Sequence, residues 1–157
     1  MSDCCCQPPV RPSAAHCPAC GNKGLAVALQ TVKAMLLPQA LQRLDVTDHR
    51  FCPTARCEVV YFDDAGHTFC RADVRVPVWH KEPFGRRVVC YCFGETETII
   101  REELEHTGST QAEERVRRHI AATRCACDIR NPKGSCCLGD LMAAVMLVEV
   151  ALLTKAE

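Results

Sequence analysis

The sequence predicts an α+β protein in which a small β-rich unit is followed by a small, mainly helical unit. Three observations predict this order. Short apolar runs separated by turn residues dominate the first part, apolar residues recur at helical spacing in the last part, and each part has its own set of cysteines. The chain has 157 residues, which is enough for one ordinary domain or two small ones.

The β-rich unit is predicted over residues 16–80. Residues 25–35 are apolar with β-branched members, and residues 58–62 (Glu-Val-Val-Tyr-Phe) have the composition of a strand. Asp-Asp-Ala-Gly at 63–66 is a turn signal and predicts a hairpin into residues 67–70. Together these short runs predict a small β-rich knuckle.

A linker over residues 81–88, marked by Pro83 and Gly85, is predicted to lead into a helical unit over residues 89–157. In this unit apolar residues recur four apart, a capping-box pattern is present, and a glycine follows the first helical run. Three helices are therefore predicted: 96–106, a second that begins at Thr110-x-x-Glu113, and 139–155.

The last predicted helix is unusually apolar, because residues 141–153 carry Glu149 as their only charge. This run is shorter than the roughly 20 residues that a membrane span needs. We therefore predict no membrane span, and we expect this helix to be buried in its own domain or in a homodimer interface.

The cysteine content indicates bound metal. The chain has 14 cysteines, and residues 1–16 contain no apolar signal-peptide core, so we expect a cytoplasmic protein. In that reducing compartment, cysteine sets hold metals more often than they form disulfides. The net charge of zero argues against nucleic acid as a partner.

Residues with catalytic side chains do not form a general acid–base or nucleophile constellation. The paired carboxylates Asp63 and Asp64 fit the predicted turn. No catalytic residue is therefore assigned, and one-electron reduction of a metal ion is the single enzymatic activity left open.

The first cysteine set lies in the β-rich unit. It consists of Cys17, Cys20, Cys52 and Cys57. A Cys-x2-Cys turn directs two sulfurs to one point, and four thiolates in a closed tetrahedral shell suit zinc and leave no position for a substrate. A structural zinc site is therefore predicted. His16 and His49 flank these cysteines and are the alternative ligands.

The second cysteine set lies in the helical unit. It consists of Cys90, Cys92, Cys127 and Cys137. Residues two apart in an extended segment share a face, so Cys90 and Cys92 are predicted to present their sulfurs together. Two more thiolates from distant segments complete the ligands of a [2Fe–2S] cluster. Cys137 stands at the start of the last helix, whose N-terminal amides favour negative charge. A [2Fe–2S] site is predicted, with a second zinc site as the alternative.

Three adjacent cysteines, Cys4, Cys5 and Cys6, lie in a predicted flexible tail over residues 1–15. Cu(I) and Hg(II) favour soft thiolate ligands. We therefore predict soft-metal capture by this tail, with Cu(I) as cargo, and the alternative is a dispensable tail.

Three segments of the chain resemble the amino-terminal region of CopZ-type copper chaperones. They are CPTARCEVVYF at 52–62, VCYCFG at 89–94 and NPKGSCCLG at 131–139. In that family the region has a zinc-binding subdomain followed by a [2Fe–2S] domain similar to bacterioferritin-associated ferredoxin. The resemblance covers residues 16–140.

The resemblance implies the same division of ligands between two metal centres. The zinc ligands would be Cys17, Cys20, Cys52 and Cys57. The cluster ligands would be Cys90, Cys92, Cys127 and Cys137. Cys125 is the alternative to Cys127, because Cys125-Ala-Cys127 is itself a Cys-x-Cys pair, and Cys136 is the alternative to Cys137.

The resemblance further implies an iron–sulfur metallochaperone or accessory redox protein in copper or mercury handling, which reduces Cu(II) to Cu(I) for delivery. Its implied partners are a copper-transporting ATPase or another heavy-metal transporter or chaperone, and an electron-donor protein. The alternatives are a one-electron-transfer, ferredoxin-like adaptor and a redox-sensing interaction module. The 157 residues do not include the carboxyl-terminal copper-binding domain of full-length members, so an accessory role is the expectation.

Overall fold

The computed structural model of the chain describes residues 15–156. Within them, a four-stranded sheet with short helices comes first, and a two-stranded sheet with further helices follows, which confirms the predicted α+β class. The strands are β1 (Leu25–Val27), β2 (His49–Phe51), β3 (Val59–Asp63), β4 (Thr68–Cys70), β5 (Val88–Cys90) and β6 (Glu95–Thr96). The helices are α1 (Leu29–Met35), α2 (Pro38–Leu41), α3 (Glu97–Thr107), α4 (Ala112–Ala121), α5 (Cys127–Arg130) and α6 (Leu138–Lys155).

The first sheet has the order β1-β2-β3-β4, and neighbouring strands are antiparallel. Every residue of β3 is buried, because the strand contributes to two cores at once. Val60 and Tyr61 pack with the apolar residues of α1, whereas Val59 and Phe62 pack among cysteines of the first set. The hairpin predicted from the sequence is therefore the central support of the first unit.

Residues 29–35 form helix α1, although their apolar, β-branched composition indicated extended structure. Only residues 25–27 of this stretch form a strand. Thr31, Val32 and Met35 are the buried residues of α1, and this spacing of one, three and four fits a helix face instead of strand alternation. Packing of these side chains on the sheet outweighs the local β propensity.

Helix α3 begins and ends close to the predicted positions. The Thr96 hydroxyl accepts a hydrogen bond from the Ile99 amide at 3.2 Å and caps the N-terminus. Gly108 follows the helix at a φ of 75°, a conformation that glycine adopts without steric cost. The local cap signals are therefore sufficient to set the limits of this helix.

Helix α4 does not have the predicted capping box. The helix is capped at Gln111, without a capping bond from that side chain. The Thr110 hydroxyl donates instead to the Glu103 carboxylate of α3, and Glu113 pairs with Arg117 at 2.8 Å. The same hydroxyl accepts a hydrogen bond from the Ala112 amide at 3.2 Å, so its local bond goes to Ala112 and not to Glu113.

Helix α6 packs against α3, α4 and β5. Leu141, Ala144 and Val148 are fully buried on its inner face. Large apolar residues on its other faces are exposed: Met142, Met146, Leu147, Val150 and Leu153. No helix within residues 15–156 combines the length and the apolar character needed to cross a membrane. Contact with a second copy through the exposed face stays a prediction.

The segment over residues 81–88, predicted as a linker, is held against the helical unit. The buried Glu97 carboxylate accepts hydrogen bonds from the Gly85 amide at 2.6 Å and from Arg87 Nε at 2.8 Å. The Arg87 guanidinium also lies 3.7 Å from the centre of the Trp79 ring. These contacts give the segment a defined position between the two units.

Two hydrogen bonds join the first unit to helix α5 and to the loop that follows it. The Tyr61 hydroxyl donates to the Pro132 carbonyl oxygen, and the Thr31 hydroxyl donates to the Asp128 carbonyl oxygen, each at 2.6 Å. Both carbonyls lie between Cys127 and Cys137. The sheet of the first unit therefore supports the segment that carries two cysteines of the second set.

Replacing Gly134 in this loop with alanine is expected to lower the free energy of unfolding by roughly 1–3 kcal/mol. The residue has a φ of 71°, and an added Cβ would lie 2.8 Å from Thr31 Oγ1 and 3.1 Å from Val27 Cγ2. Urea unfolding measures the change. Gly139→Ala in α6 is the matched control, because no atom lies within 4 Å of its added Cβ. Equal stability of both variants would contradict the close contact.

Candidate metal centres

Four cysteine thiols converge at one end of the first sheet. Cys17 and Cys20 lie in the turn before β1, whereas Cys52 and Cys57 lie in the loop between β2 and β3. The four Sγ atoms all lie within 4.8 Å of one another. The distance is 3.9 Å from Cys17 Sγ to Cys57 Sγ and 3.7 Å from Cys20 Sγ to Cys52 Sγ. The structure therefore brings together the four cysteines predicted as the zinc set.

Backbone hydrogen bonds shape the Cys-x2-Cys turn. The Gly21 amide donates to the Cys17 carbonyl oxygen at 2.8 Å, and the Cys17 amide donates to the Asn22 carbonyl oxygen at 2.8 Å. Gly21 has a φ of 73°, in the left-handed region where a residue with a side chain would be strained. The glycine that follows the second cysteine therefore lets the turn close and directs both sulfurs inward.

The thiols of this set differ in acidity. Burial raises the pKa of Cys57 to about 12 and also raises the pKa of Cys17. Burial acts in the same direction at Cys20, but hydrogen bonds with the Thr54 hydroxyl and the Asn22 backbone lower its pKa to about 6. At neutral pH Cys20 therefore ionises more readily than Cys17 or Cys57, and the thiolate is the form that binds metal.

The donor set fits a zinc ion. Four sulfurs surround one point, and Cys17, Cys52 and Cys57 are buried against Val59 and Phe62. Zinc in structural sites is bound by four such ligands in a tetrahedral shell, with no position left for a substrate. Among the described residues, this set therefore has the properties of a structural site.

Neither histidine proposed as an alternative ligand belongs to this group of donors. His16 is exposed and forms an isolated antiparallel bridge with Lys23. His49 is buried in β2, and its Nδ1 lies 2.8 Å from the Thr47 carbonyl oxygen. The cysteines alone provide the four gathered ligand atoms.

The second cysteine set gathers where β5, α5 and α6 meet. Cys90 ends β5, Cys92 lies in the turn that follows, Cys127 begins α5, and Cys137 is the N-cap residue of α6. Cys92 Sγ lies 3.7 Å from Cys127 Sγ and accepts a hydrogen bond from the Ala126 amide at 3.2 Å. The structure therefore brings together the four cysteines predicted as cluster ligands.

Cys92 is not in an extended segment, as the Cys-x-Cys spacing suggested. The Gly94 amide donates to the Cys90 carbonyl oxygen at 2.9 Å, and this turn connects β5 to β6. The two sulfurs approach the same region because the chain reverses direction between them, and not because they share the face of a strand.

Hydrogen bonds among the thiols set their acidity in the second set. Interaction with the neighbouring Cys137 thiol lowers the pKa of Cys127 to about 6 and that of Cys90 to about 7. Interaction with these two thiols, together with burial, raises the pKa of Cys137 itself. Burial raises the pKa of Cys92 to about 11. Two thiolates are therefore accessible near neutral pH.

The spacing of the second set differs from that of the first. Within the described part of the chain, no three thiols of the second set lie mutually within 4.8 Å. A single ion needs its ligands around one point, whereas a two-iron cluster spreads four thiolates over two metals. Within the described residues, the second set is therefore less tightly gathered than the first.

The alternative ligands have different surroundings. Cys125 and Cys136 are exposed, whereas Cys137 is buried and Cys127 is partly buried. Cys4, Cys5 and Cys6, predicted to capture soft metals, lie outside the described residues. The choice of Cys127 over Cys125 and of Cys137 over Cys136 stays a prediction, and it is the choice that the geometry favours.

One buried residue beside the first set was not predicted from the sequence. Lys81, predicted to begin the linker, is only 5% exposed. Its ammonium group donates to the carbonyl oxygens of Thr54 and Cys57, each at 2.9 Å. A lysine beside prolines and glycine suggests a solvated loop, so only the tertiary structure reveals this contact.

Comparison with known proteins agrees with this geometry. The family described as "Zinc binding domain" (zf_CopZ) matches residues 14–75, which include all four cysteines of the first set. The X-ray structure of the Archaeoglobus fulgidus CopZ N-terminal domain has a TM-score of 0.67 with this chain at 31% identity, and covers 82% of this chain and 95% of that one.

The chain is also similar to a longer protein from the same organism. The chain is 32% identical over 122 residues to the Archaeoglobus fulgidus protein named "Copper chaperone CopZ". The match covers 78% of this chain but 57% of that protein, so the chain spans little more than half the length of this relative. Because the match to the solved domain is nearly complete, the chain belongs to the family of CopZ N-terminal domains, with a zinc-binding domain over residues 14–75.

Proposed function

We propose that this protein is an iron–sulfur metal-handling protein that reduces Cu(II) to Cu(I) and passes the ion on for transport. One observation carries the proposal: two sets of four thiols, with different spacing, lie in one pair of packed units. The printed name of the longer relative, a copper chaperone, supports copper as the cargo.

In this proposal the first set has a structural role. Cys17, Cys20, Cys52 and Cys57 would hold zinc, and the ion would be redox-silent with a closed ligand shell. The residues around it, including Val59 and Phe62, form a buried cluster. The first unit then serves to support the second, through the Tyr61 and Thr31 hydrogen bonds to the loop that follows Cys127.

The second set would hold a [2Fe–2S] cluster on Cys90, Cys92, Cys127 and Cys137. A cluster of this kind supplies single-electron transfer when bound, which is the change that separates Cu(II) from Cu(I). The protein contributes hydrogen-bond donors: the Ala126 amide points to Cys92 Sγ, and Cys137 lies at the N-terminus of α6, where the helix dipole favours negative charge.

The cargo and partners follow from ligand preference. Cu(I) favours thiolates, so Cys4–Cys6 would receive the reduced ion, and an electron-donor protein would supply the electron. A copper-transporting ATPase, or another heavy-metal transporter or chaperone, would accept the ion, and mercury is the second candidate cargo. The exposed apolar face of α6 is the proposed contact in a homodimer. We propose a cytoplasmic location, where the thiols stay reduced.

Metal analysis of anaerobically purified protein is the first test. We expect about two irons, two sulfides and one zinc per chain, with visible absorption from thiolate-bound iron. Two zinc ions and a colourless protein from iron-replete cells would contradict the cluster and support the second zinc site.

The reduction itself is the second test. Reduced protein is mixed with Cu(II) under anaerobic conditions, and a Cu(I)-specific chelator reports the product. We expect one Cu(I) for each electron lost from the visible chromophore, because the step transfers a single electron. A variant with Cys4, Cys5 and Cys6 replaced by serine should still reduce Cu(II) but should retain less Cu(I). Fast electron exchange with a reductase, without copper reduction, would instead identify an electron-transfer adaptor.

A further inference from the structure

We propose that Lys81 is a positioning residue of the four-cysteine site, and that its buried ammonium group balances the negative charge of the zinc-bound thiolates. The inference rests on the zinc part of the proposed function and does not depend on the iron–sulfur part. Its basis is a buried lysine, within residues 15–156, whose ammonium group donates two hydrogen bonds to the loop that carries two of the four cysteines.

The Lys81 side chain is directed into the loop that carries two of the cysteines. Its ammonium group donates to the Thr54 and Cys57 carbonyl oxygens at 2.9 Å each, and both residues lie between β2 and β3. The second acceptor belongs to a cysteine whose thiol is one of the four gathered sulfurs. The lysine therefore fixes the backbone that positions Cys57.

No carboxylate neutralises this cation at close range. Among residues 15–156, none of the ion pairs within 4.0 Å includes Lys81. Lysine is almost never fully buried without a partner, because an isolated buried charge is costly. The two carbonyl oxygens supply hydrogen-bond acceptors, but they supply no net charge.

The four thiols can provide the missing charge. Four thiolates around one Zn²⁺ leave two formal negative charges in a partly dehydrated site, where charges interact more strongly than in water. A buried ammonium group on the ligand loop lowers the free energy of that dianionic state. Because the zinc-bound site carries this negative charge, the cation favours the metal-bound state.

The position of Lys81 is fixed from the other side by the helical unit. It ends the 3-10 turn Trp79–Lys81, and its amide donates to the Val78 carbonyl oxygen at 2.8 Å. The Trp79 amide donates to the Tyr91 hydroxyl at 2.9 Å, and the Trp79 ring belongs to the core of the helical unit. The lysine is therefore held in place by contacts of its own backbone and of Trp79, which do not involve the four cysteines.

Two substitutions separate the charge from the hydrogen bonds. Lys81→Met removes both at similar side-chain length, whereas Lys81→Gln keeps an amide donor without a charge. Lys23→Met is the matched control, since Lys23 is exposed in the same unit and near Cys20 in the chain. Zinc affinity is measured on the full chain by competition with a chromophoric chelator. We expect both Lys81 variants to bind zinc about 10–100-fold more weakly, the usual effect of losing a group that supports metal ligands.

A spectroscopic signature distinguishes charge from folding. With Co²⁺ in the site, loss of a nearby positive charge should move the thiolate-to-cobalt charge-transfer band to lower energy in both Lys81 variants. Zinc affinity equal to the unsubstituted protein in both variants, or in Lys81→Gln alone, would overturn the charge role. So would an equal loss in Lys23→Met. One zinc per unsubstituted chain checks the zinc site separately, so failure of that premise is distinguishable from failure of this inference.

Discussion

Replacing Cys52 with serine is expected to abolish zinc binding and to unfold the β-rich unit. The Cys52 side chain is fully buried, and its Sγ lies 3.7 Å from Cys20 Sγ. Structural zinc sites contribute roughly 10–16 kcal/mol of apparent binding free energy, which is comparable to the whole stability of a domain at about 5–15 kcal/mol. Zinc analysis should fall from one ion per chain to none, and limited proteolysis should cleave within residues 15–75.

Cys70→Ser is the matched control for this experiment. Cys70 ends β4 in the same sheet but does not belong to either thiol set. Its amide donates to the Asp73 carboxylate at 2.8 Å, a bond that the substitution leaves in place. We expect zinc content and proteolytic resistance close to those of the unsubstituted protein. A Cys52→Ser protein that kept one tightly bound zinc would mean that a residue outside the four-thiol set is a ligand.

Replacing Cys137 with serine is expected to remove the visible chromophore of the anaerobic protein together with most of its iron. Cys137 is 2% exposed at the N-terminus of α6, and it packs in the same buried cluster as Cys90 and Cys127. A serine hydroxyl is a much weaker ligand for iron than a thiolate, since soft sulfur ligands are the ones that iron–sulfur clusters select. Iron analysis and the visible spectrum measure the loss.

The neighbouring cysteine provides the control in the same loop. Cys136→Ser changes an exposed thiol one residue away, and it should leave the spectrum and the iron content unchanged. Cys127→Ser should likewise lose the chromophore and most of the iron, whereas Cys125→Ser should keep both. The reverse result in either pair would move the ligand assignment to Cys136 or Cys125.

The predictable parts of the fold are those with short-range causes. Helix α3 was predicted closely because its limits depend on Thr96 and Gly108, which act within one turn of the helix. Helix α1 was not predicted because its helical form depends on the packing of Val32 and Met35 against the sheet, which is a long-range contact. The capping box at Thr110 was wrong because the Thr110 hydroxyl accepts from the Ala112 amide, while the Glu113 side chain pairs with Arg117.

In the candidate site, too, the features with short-range causes are predictable from the sequence and the long-range contacts are not. The Cys-x2-Cys turn at Cys17 is recognisable in the sequence, because Gly21 and two backbone hydrogen bonds are enough to shape it. No sequence pattern predicts that Lys81 is buried, because the lysine contacts Cys57, which lies 24 positions away in the chain. A contact of that kind depends on how the two units pack.

The sequence by itself determined the α+β class, the family resemblance and the cysteine pairs, because these depend on neighbouring residues and their spacing. Only the tertiary structure decided that Lys81 reaches the Cys57 carbonyl oxygen across 24 positions and that Tyr61 donates to the Pro132 carbonyl oxygen across 71. The physical reason is that β3 is buried on both faces. One strand therefore sets the distance between segments that no local pattern connects.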